Sequence, residues 1–502
     1  MIDNLVAALP FVLDPGNLLL VCLGAVLGTA LGALPGISAT LAIALLIPVT
    51  FGMTGVTALM FLGGIYCGAI YGGSISAILI NVPGTPGAIA TVLDGYALTR
   101  KGEAGTALGA AATASFVGGL VGVIVLLSAA PLVASWALRI GSQEFFWIVI
   151  FAMTSVGALG TGSVIKGLIS AALGLLLGVV GVHSFTGTLR FTFGTTALYE
   201  GIPVVVALVG LFSISEVLRL SQGRPDSGAN KIVSVGSLAP GFWAVVKRPL
   251  TTLKSALIGT FTGTLPGAGA DIASLLGYNE ARRSSRSENF GKGEVEGVVA
   301  SETANNAVVG GSLIPMLTLG IPGNAVTSAL LGGLLIHGLI PGPRLFQQAP
   351  DVLYPFMLSL IIANVAFLVF AFTGLRYAAR IVLIPTSILA PAIVVLTIVG
   401  AIVYRGAQAD IAIAIGFGLF GYLMIKTGFP LPPIVLGIIL GPLAEQNLER
   451  SMTIANARSM NLLEYFISSP ISIAFILLSL LSVGATVYRE VGHRRRRALE
   501  AS

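Results

Sequence analysis

Four Pro-Gly sites inside apolar sequence carry the chemistry of this chain: Leu34-Pro35-Gly36, Val82-Pro83-Gly84, Leu265-Pro266-Gly267 and Ile321-Pro322-Gly323. Proline lacks an amide hydrogen and clashes with the preceding turn, while glycine accepts backbone angles that other residues avoid, so each pair breaks a helix. In hydrocarbon a freed amide or carbonyl costs several kcal/mol, and such a break survives only where protein or a water-filled cavity satisfies it. Half-helix N-termini present amides and positive dipole ends that suit carboxylate groups, and unwound carbonyls suit a cation. The pattern points to an anionic substrate with a coupling cation.

Polar residues beside the breaks sharpen this. The substrate candidates are Gly36, Ser38, Asn81, Pro83, Gly84 and Thr85 near the first pair, and Gly267, Pro322, Gly323, Asn324 and Thr327 near the second. Asn81 and Asn324 lead, because a buried amide needs several partners, whereas Ser and Thr can satisfy their own helix backbone. The cation candidates are Thr40, Asp271, Glu302, Asn305 and Asn306, whose oxygens suit a hard ion such as Na+; an acid at membrane depth can also carry a proton. Plainer readings stand beside these: Asp271 could lie exposed at a span end, and Glu302 could cap a helix. Asp94 is a weaker candidate, close to the loop that reaches Arg100, and His337 reads as structural or interfacial.

The elements that position these residues must lie in a membrane. The chain is 55% hydrophobic and only 10% charged, against about 25% charged residues in a soluble domain. No Asp, Glu, Lys or Arg occurs from residue 15 to residue 93, too long an apolar stretch for one soluble core helix. Apolar length predicts an all-α polytopic protein with about ten to twelve crossings plus broken or re-entrant helices. The N-terminus carries Asp3 and Asp14 in place of the basic region of a cleavable signal peptide, so residues 1–15 read as mature protein. Cys22 and Cys67 lie in apolar stretches and read as small buried residues.

The net charge of +6 is spread as Arg494 to Arg497, as Arg219 to Lys254 and as Arg282 to Lys292. These are positive-inside signals at span ends and give no nucleic-acid surface; they place the C-terminus and the 220–254 stretch in the cytoplasm. Enzyme signatures are thin: His183, His337 and His493 are isolated, and Gly72-Gly73-Ser74 lacks the frame of a nucleophile elbow. No enzyme and no cofactor are expected.

The chain also echoes itself. Gly28 to Gly36 returns 231 residues later as Gly259 to Gly267, Gly72 to Gly84 resembles Gly310 to Gly323, and Leu173 to Gly178 weakly resembles Leu436 to Gly441. The order is kept, which divides the chain into a first half (1–219), a cytoplasmic linker (220–254), a second half (255–463) and a final helix with a basic tail (464–502). Loops after matching segments carry opposite charge bias, which favours an inverted repeat. The copies are unequal: Asp271 takes the place of Thr40, and Asn305-Asn306 has no clear counterpart.

These segments resemble the large membrane subunit of the tripartite tricarboxylate transporters. The resemblance rests on Gly32 to Gly36, Gly72 to Gly87, Asp94-Gly95-Tyr96, Gly263 to Gly269, Ala304 to Ala307, Leu319 to Gly323 and Gly338 to Pro343, and it covers nearly the whole chain. Two positions are atypical: Ala97 stands where the family usually has Pro, and Asn324 where it has Ser. The resemblance implies a permease of the bacterial inner membrane, driven by a Na+ or H+ gradient. It would import carboxylates delivered by a periplasmic substrate-binding protein, together with a small membrane subunit, by alternating access of an elevator kind. No P-loop is present, in keeping with ion coupling. The rival expectations are a passive channel or scaffold subunit and a carrier for another class of solute.

Overall fold

The computed structural model describes residues 2–159, 163–222, 235–381, 384 and 386–500. In chain order the helices of the first half are α1 (Ile2–Val12), α2 (Pro15–Ala33), α3 (Ala39–Leu46), α4 (Gly55–Ile80), α5 (Ile89–Arg100), α6 (Ala104–Ala137), α7 (Ser142–Leu159) and α8 (Val164–Gly178). A short antiparallel hairpin follows, β1 (Gly181–Val182) with β2 (Leu189–Arg190), and then α9 (Val204–Val209) and α10 (Ser215–Leu220). The second half holds α11 (Ala239–Val246), α12 (Pro249–Thr264), α13 (Ala270–Ser284), α14 (Val295–Leu319), α15 (Ala325–Ile336), α16 (Leu345–Gln348), α17 (Pro350–Ile381) and α18 (Thr386–Arg405). It ends with α19 (Gln408–Lys426), α20 (Leu431–Ala457), α21 (Leu462–Ile467) and α22 (Pro470–Glu500).

Among the described residues eight helices are long and apolar enough to cross a membrane. The all-α polytopic fold expected from composition is therefore present. The span count from apolar length was higher because several apolar stretches are not full helices. The segments after the Leu-Pro-Gly breaks are the 8-residue α3 and the 15-residue α13, and those after the other breaks are the 12-residue α5 and α15. The 25-residue α14 is long enough, but it carries Glu296, Glu302, Asn305 and Asn306.

The chain forms two compact units, Met1–Ser135 with Glu216–Tyr404, and Trp136–Ser215 with Arg405–Ser502. Each takes chain from both sequence halves. Of the 220–254 stretch, residues 223–234 lie outside the described residues, and α11 with the start of α12 occupies its later part.

In the first unit α2 lies along α4, and α12 lies along α14 in the same way. A Cβ on Gly28 would collide with the Ile65 carbonyl and one on Gly72 with the Thr29 carbonyl. The matching collisions in the second half are Gly259 with the Ala304 carbonyl and Gly311 with the Thr260 carbonyl. Residues of α2 map to α12 at a spacing of 231, and those of α4 to α14 at 239. The duplication is thus one of packing as well as of sequence. Small residues let backbones approach closely where no hydrophobic force draws helices together in lipid.

The second unit uses the third echo in a different way: its two copies pack on each other, with Gly174 against Ile434 and Gly437, and Gly178 against Gly437 and Gly441. The hairpin is pinned to α20 there by a paired contact of Arg190 with Glu445 and by His183 with Glu449. Outward rows such as Val395, Val399 and Val403 on α18 stay exposed, as lipid-facing helices require.

Candidate substrate and cation site

All the residues expected at the site fall in the first unit. The breaks end their helices by two devices. After α2 and α12 the chain turns at Gly36 (φ +89°) and Gly267 (φ +83°). At the ends of α4 and α14 the left-handed cap is Asn81 (φ +62°) and Gly320 (φ +72°). These two are equivalent at the 239-residue spacing, and the side chain of Asn81 is exposed. The structure thus explains Asn81 as a helix cap, since Asn tolerates this conformation better than other residues with a Cβ.

Two of the amides expected to receive carboxylate are bonded within the protein: Gly84 N–H donates to the Gly73 carbonyl at 3.1 Å, and Gly267 N–H to the Gly323 carbonyl at 2.9 Å. Ser38 caps α3 by accepting from the Leu41 amide at 3.2 Å. Pro83 is half-buried, and Pro322 and Gly323 are buried in the matching loop.

Asn324 caps α15. Its Oδ1 accepts from the Thr327 amide at 2.9 Å, and its own amide donates to Thr327 Oγ1 at 3.0 Å. Its Nδ2 donates to the Tyr66 hydroxyl at 3.0 Å, and that hydroxyl also pairs with Ser312 Oγ at 2.9 Å. Tyr66 and Ser312 are fully buried, and Asn324 is nearly so. This polar cluster is satisfied by the protein itself.

Its equivalent in the other copy is different. At the same spacing Tyr66 maps to Asn305, Ser312 to Gly73 and Asn324 to Thr85. Asn305 and Thr85 are buried, and neither Asn305 Oδ1 nor Thr85 Oγ1 has a hydrogen-bond partner among the described residues. The Asn305 oxygen lies against Gly87, and the Thr85 hydroxyl against Gly73, so close that a Cβ on either glycine would overlap it.

Behind Asn305 sits Glu302, fully buried on α14. Its carboxylate accepts from Thr91 Oγ1, from Ser115 Oγ at 3.0 Å, from Asn306 Nδ2 at 3.3 Å and from Asn305 Nδ2 at 3.5 Å. Asn306 Nδ2 also donates to Ser115 Oγ at 2.7 Å, while its Oδ1 has no partner among the described residues. Glu302, Asn305 and Asn306 therefore form one hydrogen-bonded cluster, and Glu302 lies inside α14 and does not cap it. Thr40 and Asp271 occupy equivalent first-turn positions on α3 and α13, Thr40 buried and Asp271 half-exposed. An acid there complements the helix dipole.

Asp94 was undervalued by the sequence. It is not in a loop but within α5, and it is fully buried. Its Oδ1 accepts from the amides of Gly291, Gly293 and Glu294, each at 2.8 Å, and its Oδ2 from the Tyr278 hydroxyl at 2.9 Å. It clasps first-half α5 to the connection between α13 and α14. The adjacent Gly-Tyr of its motif was the available signal. Arg219, read from sequence as a topology signal, also reaches the site: a Cβ on Gly36 would stand 3.6 Å from its Nη2. It pairs with Glu216 at 2.5 Å. His337 bonds Thr50 Oγ1 at 3.0 Å, in keeping with a structural role.

The profile of the tripartite tricarboxylate transporter TctA family matches residues 18–436. A protein of Agrobacterium vitis, described as an uncharacterized 52.8 kDa protein in the TAR-I ttuC' 3' region, is 36% identical over 498 residues, covering 99% of this chain and 98% of its own length. A second protein of that organism, described as an uncharacterized protein in the TAR-II ttuC' 3' region, is 33% identical over 226 residues, 45% of this chain and 92% of its own length. No solved structure matches. With paired broken helices, a duplicated core and this match along most of its length, the chain belongs to the tripartite tricarboxylate transporter TctA family.

Proposed function

We propose that this chain is the permease of an ion-driven carrier that imports di- or tricarboxylates across a bacterial inner membrane by alternating access. The observation that carries the reading is the buried Glu302–Asn305–Asn306 cluster between two copies of one broken-helix packing unit. A charged group at membrane depth is costly and marks ion or substrate pathways. The coupling cation, Na+ or H+, is assigned to this cluster. The substrate is assigned to the loops at Gly36, Ser38, Pro83 with Gly84, and Pro322 to Thr327, with Arg219, paired to Glu216, beside the first break. Substrate arrives from a periplasmic binding protein, a small membrane subunit completes the complex, and the basic C-terminal tail faces the cytoplasm.

The test is uptake in proteoliposomes that contain the permease, its small subunit and the loaded binding protein. Accumulation of labelled carboxylate above the external concentration under an imposed Na+ or H+ gradient is expected. Equilibration without accumulation would identify a passive channel.

A further inference from the structure

We propose that Asn305 Oδ1 and Thr85 Oγ1 form the seat of a single dehydrated Na+ ion, at the position where the other copy of the repeat puts the hydroxyl of Tyr66. The proposal rests on the cation-coupled reading above and gives that reading one ion and one address.

The two copies supply the comparison. In one, a long side chain reaches across: Tyr66 extends from α4 and its hydroxyl bridges Ser312 and Asn324. In the other, every equivalent residue is shorter: Asn305 for Tyr66, Thr85 for Asn324 and Gly73 for Ser312. The shorter set leaves Asn305 Oδ1 and Thr85 Oγ1 without partners among the described residues, although Asn305 is 0% and Thr85 2% exposed. Buried polar atoms of this kind are normally satisfied, and each orphan needs a cause.

The orientation of the Asn305 amide follows from its neighbour. Glu302 accepts only hydrogen-bond donors, so it turns Nδ2 of Asn305 towards itself and the carbonyl oxygen away, against Gly87. Glu302 already accepts from four side chains. It therefore acts on the seat by orienting Asn305. Neutral hard oxygens suit a monovalent cation; softer metals prefer thiolate or imidazole. Among the described residues no three His, Cys, Asp or Glu side chains gather as a metal site. The first-turn residues Thr40 and Asp271 have no part in this seat.

The experiment is thermal unfolding of the purified full-length chain in NaCl, KCl and choline chloride at constant ionic strength. Na+ alone is expected to raise the midpoint in a saturable way. Asn305→Ala and Thr85→Ala are each expected to raise the half-saturating Na+ concentration at least tenfold, and Thr85→Ser to leave it within about twofold of wild type. Tyr66→Phe is expected to lower the starting midpoint with the half-saturating concentration unchanged, because it breaks only the other copy. Unchanged Na+ dependence in Asn305→Ala and Thr85→Ala, or equal midpoints in all three salts for wild type, would overturn the seat. Either result combined with gradient-driven uptake leaves the carrier reading standing while the seat falls. Specific Na+ stabilisation without gradient-driven accumulation does the reverse.

Discussion

At the scale of single residues, the two asparagines that led the sequence reading have separate tasks. Asn81 supplies a left-handed cap that its equivalent Gly320 supplies without any side chain, so Asn81→Gly is expected to keep both membrane abundance and near-normal uptake. Asn324 holds a helix cap and the Tyr66 hydroxyl together. Asn324→Ala is expected to cost about 0.5–2 kcal/mol of stability, as lost caps do, and so to lower the unfolding midpoint, as well as reducing uptake; fluorescence-detected gel filtration after heating measures the first. Sequence marked both residues because buried amides need partners, but it could not say that one is exposed. Asp94 went the other way. Its three amide partners lie nearly 200 residues downstream, beyond the reach of any local pattern.

At the scale of elements, the breaks were legible and the pairings were not. Pro-Gly in an apolar run announces a broken helix from local sterics alone, and all four expected sites interrupt helices. That α2 lies on α4 and α12 on α14 depends on glycine stripes whose partners are distant in sequence. Those stripes give a direct check. Gly259→Val places bulk against the Ala304 carbonyl, a backbone atom that cannot move aside. Overpacking of this kind costs about 1–3 kcal/mol. Gly416→Val, on α19 where a Cβ meets nothing within 4 Å, is expected to leave thermal stability unchanged. The Asp94 clasp belongs to this scale too, because it makes α5 and the 285–294 connection one piece. Asp94→Ala leaves three amides without their acceptor and is expected to expose that connection to protease in membranes, read by fragment patterns on gels.

At the scale of the whole molecule, the compact units do not follow the sequence halves. Each compact unit draws segments from both sequence halves, so neither half can complete a unit. Fragments 1–222 and 235–502 expressed separately are expected to be degraded, and when co-expressed to purify together. Recovery of either fragment alone as a stable species would contradict that interdependence. Repeat counting found the duplication but not this interleaving, because echoes report ancestry of segments and compactness reports which of them touch.

The plugged copy at Tyr66 also bears on electrical work. One copy fills itself with a phenol; under the proposal above the other would hold one Na+, so this pair of positions would contribute one positive charge per cycle. A dicarboxylate carried with that ion crosses as a net −1 species and a tricarboxylate as −2. Entry into a cell held 100 mV negative inside then costs about 2.3 kcal/mol for the first and about twice that for the second. Under that proposal the membrane voltage itself would act as a selector, favouring the less charged acid or its protonated form at the same concentration.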